Sequence, residues 1–548
     1  MTQLNPERPL RSVPANDEPA DHATEDGRRA VVHISSDPDA IRTLTRLLDE
    51  RSIPDAYVRD GELIAVEAVS GTAPATGEDD APLPLAASRV TSPRLAALLA
   101  EHLDVIEHRS AGKNGFQEVP VTPSRGVLSA VLSHRHWPGL PALRGLISAP
   151  VLRPDGTLLQ DPGYDPATGY YLTTRTRMQR VPDYPTPAQV DDAVSFLLDK
   201  FLADFPWRTP AERANYIALL VTPLLRPFTR ALAPFGIVDA TMPGSGKTIL
   251  TSCIGLLVGQ RVLTLPDDDV ELRKAITTVL ADQVGAVVFD NLVEGHIINS
   301  AVLARLITER TWTDRRLGSN TAATYPNDRI WLATGNNLRV GGDMASRSVW
   351  VRLDPDCPHP EARTGFSIPN LDTWILDPDN QATVLHHLLV LVVDWCRHGA
   401  PISTTVPQMR QFTRWAQYLG GFLEHHGVPN FLANVADNTD LDDDANEWAQ
   451  FLHAWHGIFG TEPVTARDLR VRAEPEYGQP DPWAGIFPTT PTGRPITVKS
   501  LGRRLTGQIG RWRNNIVLRS ATDTHTNART YWVQLEQPDS DQANAAKQ

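Results

Sequence analysis

Residues 241–248 of the chain have the sequence TMPGSGKT, and they lie between two apolar segments. The segment FGIV at residues 235–238 is typical of a buried strand, and ILTSCIGLL at residues 249–257 is typical of a helix. A strand, a glycine-rich turn and a helix in this order place backbone N–H groups and the positive end of a helix around a phosphate chain. The sequence therefore predicts a nucleotide-phosphate loop.

The predicted loop contains the residues that would touch ATP. They are Pro243, Gly244, Ser245, Gly246, Lys247 and Thr248. Lys247 would reach the β- and γ-phosphates, and the Thr248 hydroxyl would bind Mg²⁺. The first glycine of the usual pattern G-x-x-x-x-G-K-[ST] is replaced by Thr241. The alternative interpretation is an ordinary glycine-rich turn without a ligand.

Composition limits the classes of protein to which the chain can belong. Of its 548 residues, 41% are hydrophobic and 21% are charged, as in a globular protein of several domains. No apolar run has membrane-spanning length, and residues 1–29 are polar and acidic, so we expect a cytoplasmic protein without a membrane partner. The net charge of −13 confines any nucleic-acid binding to local basic patches. The three cysteines are far apart and indicate neither a zinc site nor a disulfide framework.

Three further residues follow the loop in the order that an ATPase requires. Asp290 ends the apolar run AVVFD, as a Walker B aspartate that binds Mg²⁺ beside Thr248 does. Asn336 ends the next strand-like run, where an amide can orient the attacking water; Asn337 is the alternative. Arg347 stands where an arginine finger crosses a subunit interface. The simpler interpretations are a buried strand with an Asp turn and a surface arginine in a salt bridge.

This ordered set resembles superfamily 3 helicases, the AAA+-type hexameric ATPases of viruses and phages. The likeness is to the helicase part of phage and mobile-element primase–helicases, and it covers the chain from about Pro150 onward. In that family a hairpin between Walker B and the sensor faces the central pore and grips DNA. By this resemblance Arg315 and Arg316 are candidate DNA contacts, although a basic surface turn would have the same sequence.

The residue after Asp290 departs from the pattern of many relatives. They carry a second acid there, which polarises the lytic water, whereas this chain has Asn291. Glu294 is the candidate replacement for that acid. The alternative is that Asn291 only positions water and hydrolysis is slow.

The C-terminal part of the chain is strongly basic. Residues 494–529 contain eight Arg or Lys and a single acid, Asp523. A helix-like segment followed by two strands joined by a polar loop predicts a winged-helix-like domain. The candidate contacts to DNA phosphates are Arg503, Arg504, Arg511 and Arg513. The alternative is a solvated basic helix without a ligand.

The expected fold class is α/β, with an AAA+-like P-loop ATPase core, an N-terminal α/β region, a helical region and a C-terminal winged-helix-like domain. The predicted boundaries are a disordered acidic tail at 1–29, an α/β region of unknown role at 30–180, a helical connector at 181–225, the ATPase core at 226–355, a helical domain at 380–460, the winged-helix-like domain at 463–536 and a polar tail at 537–548. Within the N-terminal region, Asp37-Pro38-Asp39 follows an apolar strand; we interpret it as a turn rather than as a primase metal site.

The function that fits these observations is an ATP- and Mg²⁺-dependent DNA helicase that acts as a ring, expected to be a hexamer, on single-stranded or forked DNA. Phage or mobile-element replication is the implied setting, with a primase or other replication protein as a partner of the N-terminal region. One alternative is a DNA-binding initiator or regulator with a slow ATP switch. Another is an AAA+-type ATPase that acts on protein partners.

Overall fold

The computed structural model describes residues 29–69, 84–110, 116–173, 178–281, 284–315, 322–435, 443–473, 481, 483, 486–489, 495–513, 515–522 and 529–535. The predicted disordered tail up to residue 28 and the polar tail at 537–548 lie outside these residues. The chain divides into two compact units. The first comprises Met1–Leu146 and Pro162–Arg175, and the second comprises Ile147–Asp161 and Thr176–Gln548.

The described residues of the first unit form three small sheets and three helices. In chain order its elements are β1 (Ala30–Ile34), α1 (Asp37–Asp49), β2 (Ala56–Arg59), β3 (Glu62–Ala68), β4 (Leu85–Arg89), α2 (Ser92–His102), β5 (Leu103–Ser110), β6 (Phe116–Pro120), α3 (Arg125–Leu132) and β7 (Gly145–Ile147). After β8 (Val151–Leu152) and β9 (Leu158–Leu159), which belong to the second unit, follow β10 (Gly163–Asp165) and β11 (Tyr170–Leu172). The sheet orders are β1-β5-β6, β2-β3-β4 and β10-β11-β7.

Helices α1, α2 and α3 close the core of the first unit with their apolar faces. Leu44, Leu95 and Val131 are completely buried in this core. At the start of α1, the Asp39 carboxylate accepts hydrogen bonds from both the N–H and the hydroxyl of Ser35, each at 3.0 Å. The Asp-Pro-Asp segment therefore forms the first turn of α1 rather than a separate turn, which corrects that interpretation, and Asp39 finds its hydrogen-bond partners locally.

The second unit begins with helices and continues into a parallel sheet. Its elements are α4 (Pro187–Ser195), α5 (Pro210–Thr229), β12 (Phe235–Ala240), α6 (Lys247–Val258), β13 (Gln260–Leu263), α7 (Asp269–Ala281), β14 (Ala286–Leu292), β15 (Ile297–Ile298), α8 (Ala301–Thr308), β16 (Thr311–Arg315), β17 (Ala322–Pro326), β18 (Ile330–Asn336), β19 (Arg339–Val340), β20 (Ser348–Leu353), α9 (Leu371–Trp374), α10 (Pro378–Arg397) and α11 (Thr413–His425). A π-helical turn, Phe196–Phe201, extends α4, and a 3₁₀ turn, Gly342–Arg347, precedes β20.

The central sheet of the second unit has five parallel strands in the order β13-β14-β18-β12-β20. Ile237, Val287 and Leu332 on its inner strands are completely buried. Helices cover both faces of a parallel sheet, which explains why these strands read as continuous apolar runs in the sequence. The expected α/β class is confirmed for this part of the chain.

The helices that precede and follow the sheet in the second unit, up to α11, share one hydrophobic core with it. Helix α5 contacts α6 through the Tyr216 hydroxyl, which donates to the Leu250 carbonyl at 2.9 Å. Trp415 of α11 donates to the Thr222 hydroxyl of α5, also at 2.9 Å. The predicted division into connector, ATPase core and helical domain therefore does not follow the packing, because the apolar helix faces bury against the same sheet. Among the described residues, no helix is both long and apolar enough to cross a bilayer.

The C-terminal module has its own core. It consists of α12 (Asp443–Phe459), β21 (Val464–Thr465), α13 (Ala466–Val471), α14 (Val498–Gln508), β22 (Trp512–Arg513), β23 (Ile516–Thr522) and β24 (Arg529–Leu535), with the sheet order β21-β24-β23-β22. Trp455 of α12 packs in this core with Leu501 of α14 and Val533 of β24. Helix α12, which lies within the predicted helical domain, thus packs with the C-terminal module.

Candidate nucleotide-binding site

The predicted phosphate loop joins the end of β12 to the start of α6. Gly244 and Gly246 have φ angles of 74° and 96°, which an L-residue adopts only with strain. A side chain at Gly246 would also meet the ring of Phe205 at 3.0 Å. Because Gly246 is the N-cap of α6 and offers no side-chain cap, the first N–H groups of the helix are left for a ligand.

Four of the predicted site residues meet at the carboxyl edge of the sheet. The Lys247 ammonium Nζ donates to Asn336 Oδ1 at 2.7 Å, which joins the start of α6 to the end of β18. The Thr248 hydroxyl lies 3.5 Å from Asp290 Oδ1 near the end of β14. Parallel strands end at the same edge, and ligands of open α/β sheets bind outside this edge. The geometry thus places a cation, a hydroxyl, a carboxylate and an amide around one space.

Thr334 orients the carboxylate of Asp290. Its hydroxyl donates to Asp290 Oδ1 at 2.5 Å and accepts a hydrogen bond from the backbone N–H of Asn291 at 2.9 Å. The Thr334 residue is 1% exposed, and Asn291 has a φ angle of 56° in the left-handed region. The short hydrogen bond from hydroxyl to carboxylate is of the charge-assisted kind. Sequence reasoning missed Thr334, although it stands two residues before Asn336 on the same strand.

The donors beside the phosphate loop fit Mg²⁺. Thr248 and Asp290 offer only oxygen atoms, the ligands that this ion prefers. Their separation of 3.5 Å is somewhat wider than the distance between neighbouring oxygens of a Mg²⁺ shell, about 2.9 Å, and a small rotation or one water closes the difference.

Buried charges surround Lys247. Burial lowers the pKa of this lysine, and the negative charges of Asp239 and Asp290 oppose that shift. Asp239 is 2% exposed; it pairs with Arg352 Nε at 3.1 Å and accepts the Leu338 N–H at 2.9 Å. Burial raises the pKa of Asp239, but its two donors stabilise the carboxylate. Sequence reasoning missed Asp239, and the signal available was an acid within an otherwise apolar strand.

Glu294 lies at the same edge of the sheet, at the end of a short loop. Its Oε1 accepts a hydrogen bond from Asn337 Nδ2 at 3.0 Å. Asn337 is anchored beside the phosphate loop because its backbone N–H donates to the Ala240 carbonyl at 3.1 Å. The structure therefore brings Glu294 to the rim of the site through Asn337 and leaves its side chain exposed.

Arg347 lies at the opposite edge of the sheet from Lys247. In the parallel pair of β12 and β20, Phe235 faces Ser348 and Ala240 faces Leu353. Arg347 precedes Ser348, so roughly 17 Å of strand separates it from the phosphate loop of its own chain. Its guanidinium donates to the Ala304 carbonyl at 2.6 Å and to Asp343 at 2.9 Å, and 15% of its side chain is exposed.

One of the two candidate DNA-binding arginines of the central part lies on the hairpin of β16 and β17. Arg315 is exposed at the end of β16, whereas Arg316 is outside the described residues. Strand β16 of the hairpin is held to α7, because Asp314 pairs with Arg273 at 2.8 Å and Trp312 donates to Thr277 at 3.0 Å. The hairpin is thus anchored while its arginine faces solvent.

The candidate DNA contacts of the C-terminal module differ in exposure. Arg503 and Arg504 are exposed on α14, between the buried Leu501 and Leu505. Arg511 is exposed in the turn that follows. Arg513 is partly buried and donates to Gln508 at 2.8 Å. Three of the four arginines are therefore accessible to a phosphate backbone.

No family model and no curated protein matches the sequence. Among solved structures, the chain is similar to the apo A form of the NrS-1 C terminal region, with 12% identity over 77% of this chain and 92% of that chain, at a TM-score of 0.33. It is also similar to the JCV helicase, with 15% identity over 46% of this chain and 72% of that chain, at a TM-score of 0.20. Both TM-scores are too low to assign a fold or an activity to this chain.

Proposed function

We propose that the protein is an ATP-dependent DNA helicase of superfamily 3 type that works as a ring, expected to be a hexamer, in phage or mobile-element replication. The convergence of Lys247, Thr248, Asp290 and Asn336 at one edge of the parallel sheet carries this proposal. The order of these residues along the chain gives the site its likeness to that family.

Each residue has a role that follows from its position. Lys247 exchanges the Asn336 amide for the β- and γ-phosphates of ATP, and the open N-terminus of α6 binds the same phosphates. Thr248 and Asp290 hold Mg²⁺, which neutralises phosphate charge when bound. Asn336 then positions the attacking water. Glu294, at the rim of the site, is the proposed general base.

Arg347 acts in the ATP site of a neighbouring subunit in this proposal. Its place at the amino edge of the sheet takes it away from the phosphates bound by its own chain. To reach a neighbour it has to leave Asp343 and the Ala304 carbonyl. Formation of the ring supplies the competing anionic partner, the γ-phosphate.

The described candidate arginines, of which Arg513 is partly buried and the others are exposed, supply the contacts to DNA. Arg315 at the hairpin end faces the strand in the pore, and Arg503, Arg504, Arg511 and Arg513 bind duplex or forked DNA through its phosphates. The chain carries a net charge of −13, so DNA is attracted only where these cations gather. A primase or other replication protein is the proposed partner of the N-terminal unit.

The test compares fork unwinding and DNA-stimulated ATP turnover in the wild type, Lys247→Ala and the control Lys274→Ala. Lys274 is a surface lysine that pairs with Glu271 at 2.7 Å, away from the phosphate loop. We expect Lys247→Ala to abolish both activities and Lys274→Ala to retain them. ATP turnover that is indifferent to DNA in the wild type would refute the proposal.

One observation favours a second function, a DNA-binding initiator or regulator with a slow ATP switch. The residue after Asp290 is Asn291, whose backbone is bound to Thr334 and which cannot accept a proton from water. If this second function is correct, the wild type binds DNA and ATP but does not unwind forks, and DNA does not increase its rate of ATP turnover.

A further inference from the structure

A carboxylate and three histidines meet where the ends of α10 and α11 come together. Asp394 lies in the last turn of α10 and His398 follows that helix, while His425 ends α11 and His426 follows it. The side chain of Asp394 is 12% exposed and that of His426 is 1% exposed. None of these residues belongs to the nucleotide site.

The three imidazoles surround one carboxylate. His425 Nε2 lies 2.8 Å from Asp394 Oδ2, and His426 Nε2 lies 3.5 Å from the same oxygen. His398 Nδ1 lies 3.4 Å from the other carboxylate oxygen, Oδ1. One donor atom each of Asp394, His398 and His425 lie within 4.8 Å of one another.

The hydrogen bonds of two histidines leave a nitrogen lone pair for a ligand. His426 Nδ1 faces the Phe422 carbonyl at 2.8 Å, and His398 Nδ1 faces the Asp394 carbonyl at 2.9 Å. A carbonyl only accepts, so Nδ1 carries the hydrogen in both rings and Nε2 carries the lone pair. Metal-binding histidines are usually oriented in this way, with the other ring nitrogen donating to a carbonyl.

The buried lone pair of His426 lacks a hydrogen-bond partner. Its Nε2 makes no hydrogen bond within the described part of the chain, although the Asp394 carboxylate lies beside it. With the hydrogen on Nδ1, the Nε2 lone pair faces the Asp394 carboxylate at 3.5 Å. A cation between these two electron-pair donors would bind both of them.

We propose that Asp394, His398, His425 and His426 bind a Zn²⁺-class transition-metal ion that joins the ends of α10 and α11. Three imidazole nitrogens and one carboxylate oxygen are ligands typical of Zn²⁺, whereas Mg²⁺ prefers oxygen alone. Neighbouring ligand atoms of a tetrahedral Zn²⁺ site are about 3.3 Å apart. The Nε2 atoms of His425 and His426 lie 2.8 and 3.5 Å from Asp394 Oδ2, and a ligand atom of His398 lies within 4.8 Å of those of Asp394 and His425. Four protein ligands make the site structural, and it is independent of the proposed helicase activity.

The test is a Co²⁺ titration of the full-length protein, followed by visible absorption, with Zn²⁺ as competitor. A second cluster, His33, His108 and Glu118, lies exposed on the first unit and also offers metal ligands. All proteins therefore carry His33→Gln and His108→Gln, which remove that cluster. We expect a single equivalent of Co²⁺ with the strong bands of a tetrahedral site, which Zn²⁺ abolishes.

Two variants in this background decide the assignment. His398→Gln and His425→Gln should each weaken the metal affinity by at least about tenfold. The side chain of His398 is 61% exposed, so its replacement leaves the fold intact, as circular dichroism will verify. A background protein that binds no metal at micromolar concentration, or full affinity retained in either variant, overturns the proposal in favour of a metal-free hydrogen-bonded cluster.

Discussion

Replacing Thr334 by valine tests whether this hydroxyl holds the Asp290 carboxylate in position. Valine has nearly the same shape, so the change opens no cavity and removes only two hydrogen bonds, those to Asp290 Oδ1 and from the Asn291 N–H. An unpaired N–H costs about 1–3 kcal/mol when it is buried, and a hydrogen bond to a charged group is worth about 1.5–3 kcal/mol. Water replaces part of both losses because Asn291 is exposed and Asp290 is partly exposed. We therefore expect the free energy of unfolding to fall by about 1–3 kcal/mol.

The same substitution should weaken Mg²⁺-dependent ATP binding by about 10- to 100-fold, the usual effect of removing a group that orients a metal ligand. Urea unfolding gives the stability, and titration calorimetry with and without Mg²⁺ gives the affinity. Thr313→Val is the matched control, since Thr313 is an exposed strand residue whose hydroxyl pairs with Thr324 at 2.9 Å. An unfolding free energy and a Mg²⁺–ATP affinity both equal to those of Thr313→Val would refute the role given to Thr334.

Three other predictions concern the loop, the ring and a buried thiol. Gly246→Ala should lower the free energy of unfolding by about 1–2 kcal/mol and abolish ATP binding, because residue 246 has a φ angle of 96° and a Cβ there would press against Phe205. Gly507→Ala is the control: a Cβ there meets no neighbour within 4 Å, so this variant should be slightly more stable than the wild type in urea unfolding. Mixing inactive Arg347→Ala with inactive Lys247→Ala subunits should restore part of the ATP turnover, and no recovery would argue against an intersubunit site. Burial raises the pKa of the Cys253 thiol to about 12, so native protein at pH 8 should react with thiol reagents at Cys253 only after unfolding. The contribution of the buried neutral thiol to the free energy of unfolding is fully present below pH 9 and is lost as the pH rises towards 12.

The sequence predicted the parts of the site that follow directly from chain order. The loop, α6 and the ends of β14 and β18 each show as an apolar run with a polar end. Parallel strands end at one edge, and there Lys247 donates to Asn336 while Thr248 lies beside Asp290. The roles of these residues in ATP binding stay a prediction.

The supporting residues could not be predicted in the same way. Thr334 meets Asp290 across 44 positions of the chain, and Arg352 meets Asp239 across 113. The sequence pattern around a buried polar residue in an apolar strand does not predict which distant residue forms its hydrogen bond. The boundary at α12 has a similar cause, because an amphipathic helix reveals which face is buried but not which core buries it. The histidine cluster depends on the convergence of two helix ends, which local sequence patterns do not contain.

The hydrogen bond between Lys247 and Asn336 has a consequence for the reaction cycle. In the proposed ATPase cycle, ATP would meet a lysine that already has a partner, so part of the binding energy would be spent on breaking a bond worth about 1.5–3 kcal/mol. After hydrolysis, the same amide would compete with the departing phosphate for the ammonium group. Asn336 would thus weaken the binding of both nucleotide and product, which would shorten the time for which the site stays occupied by product.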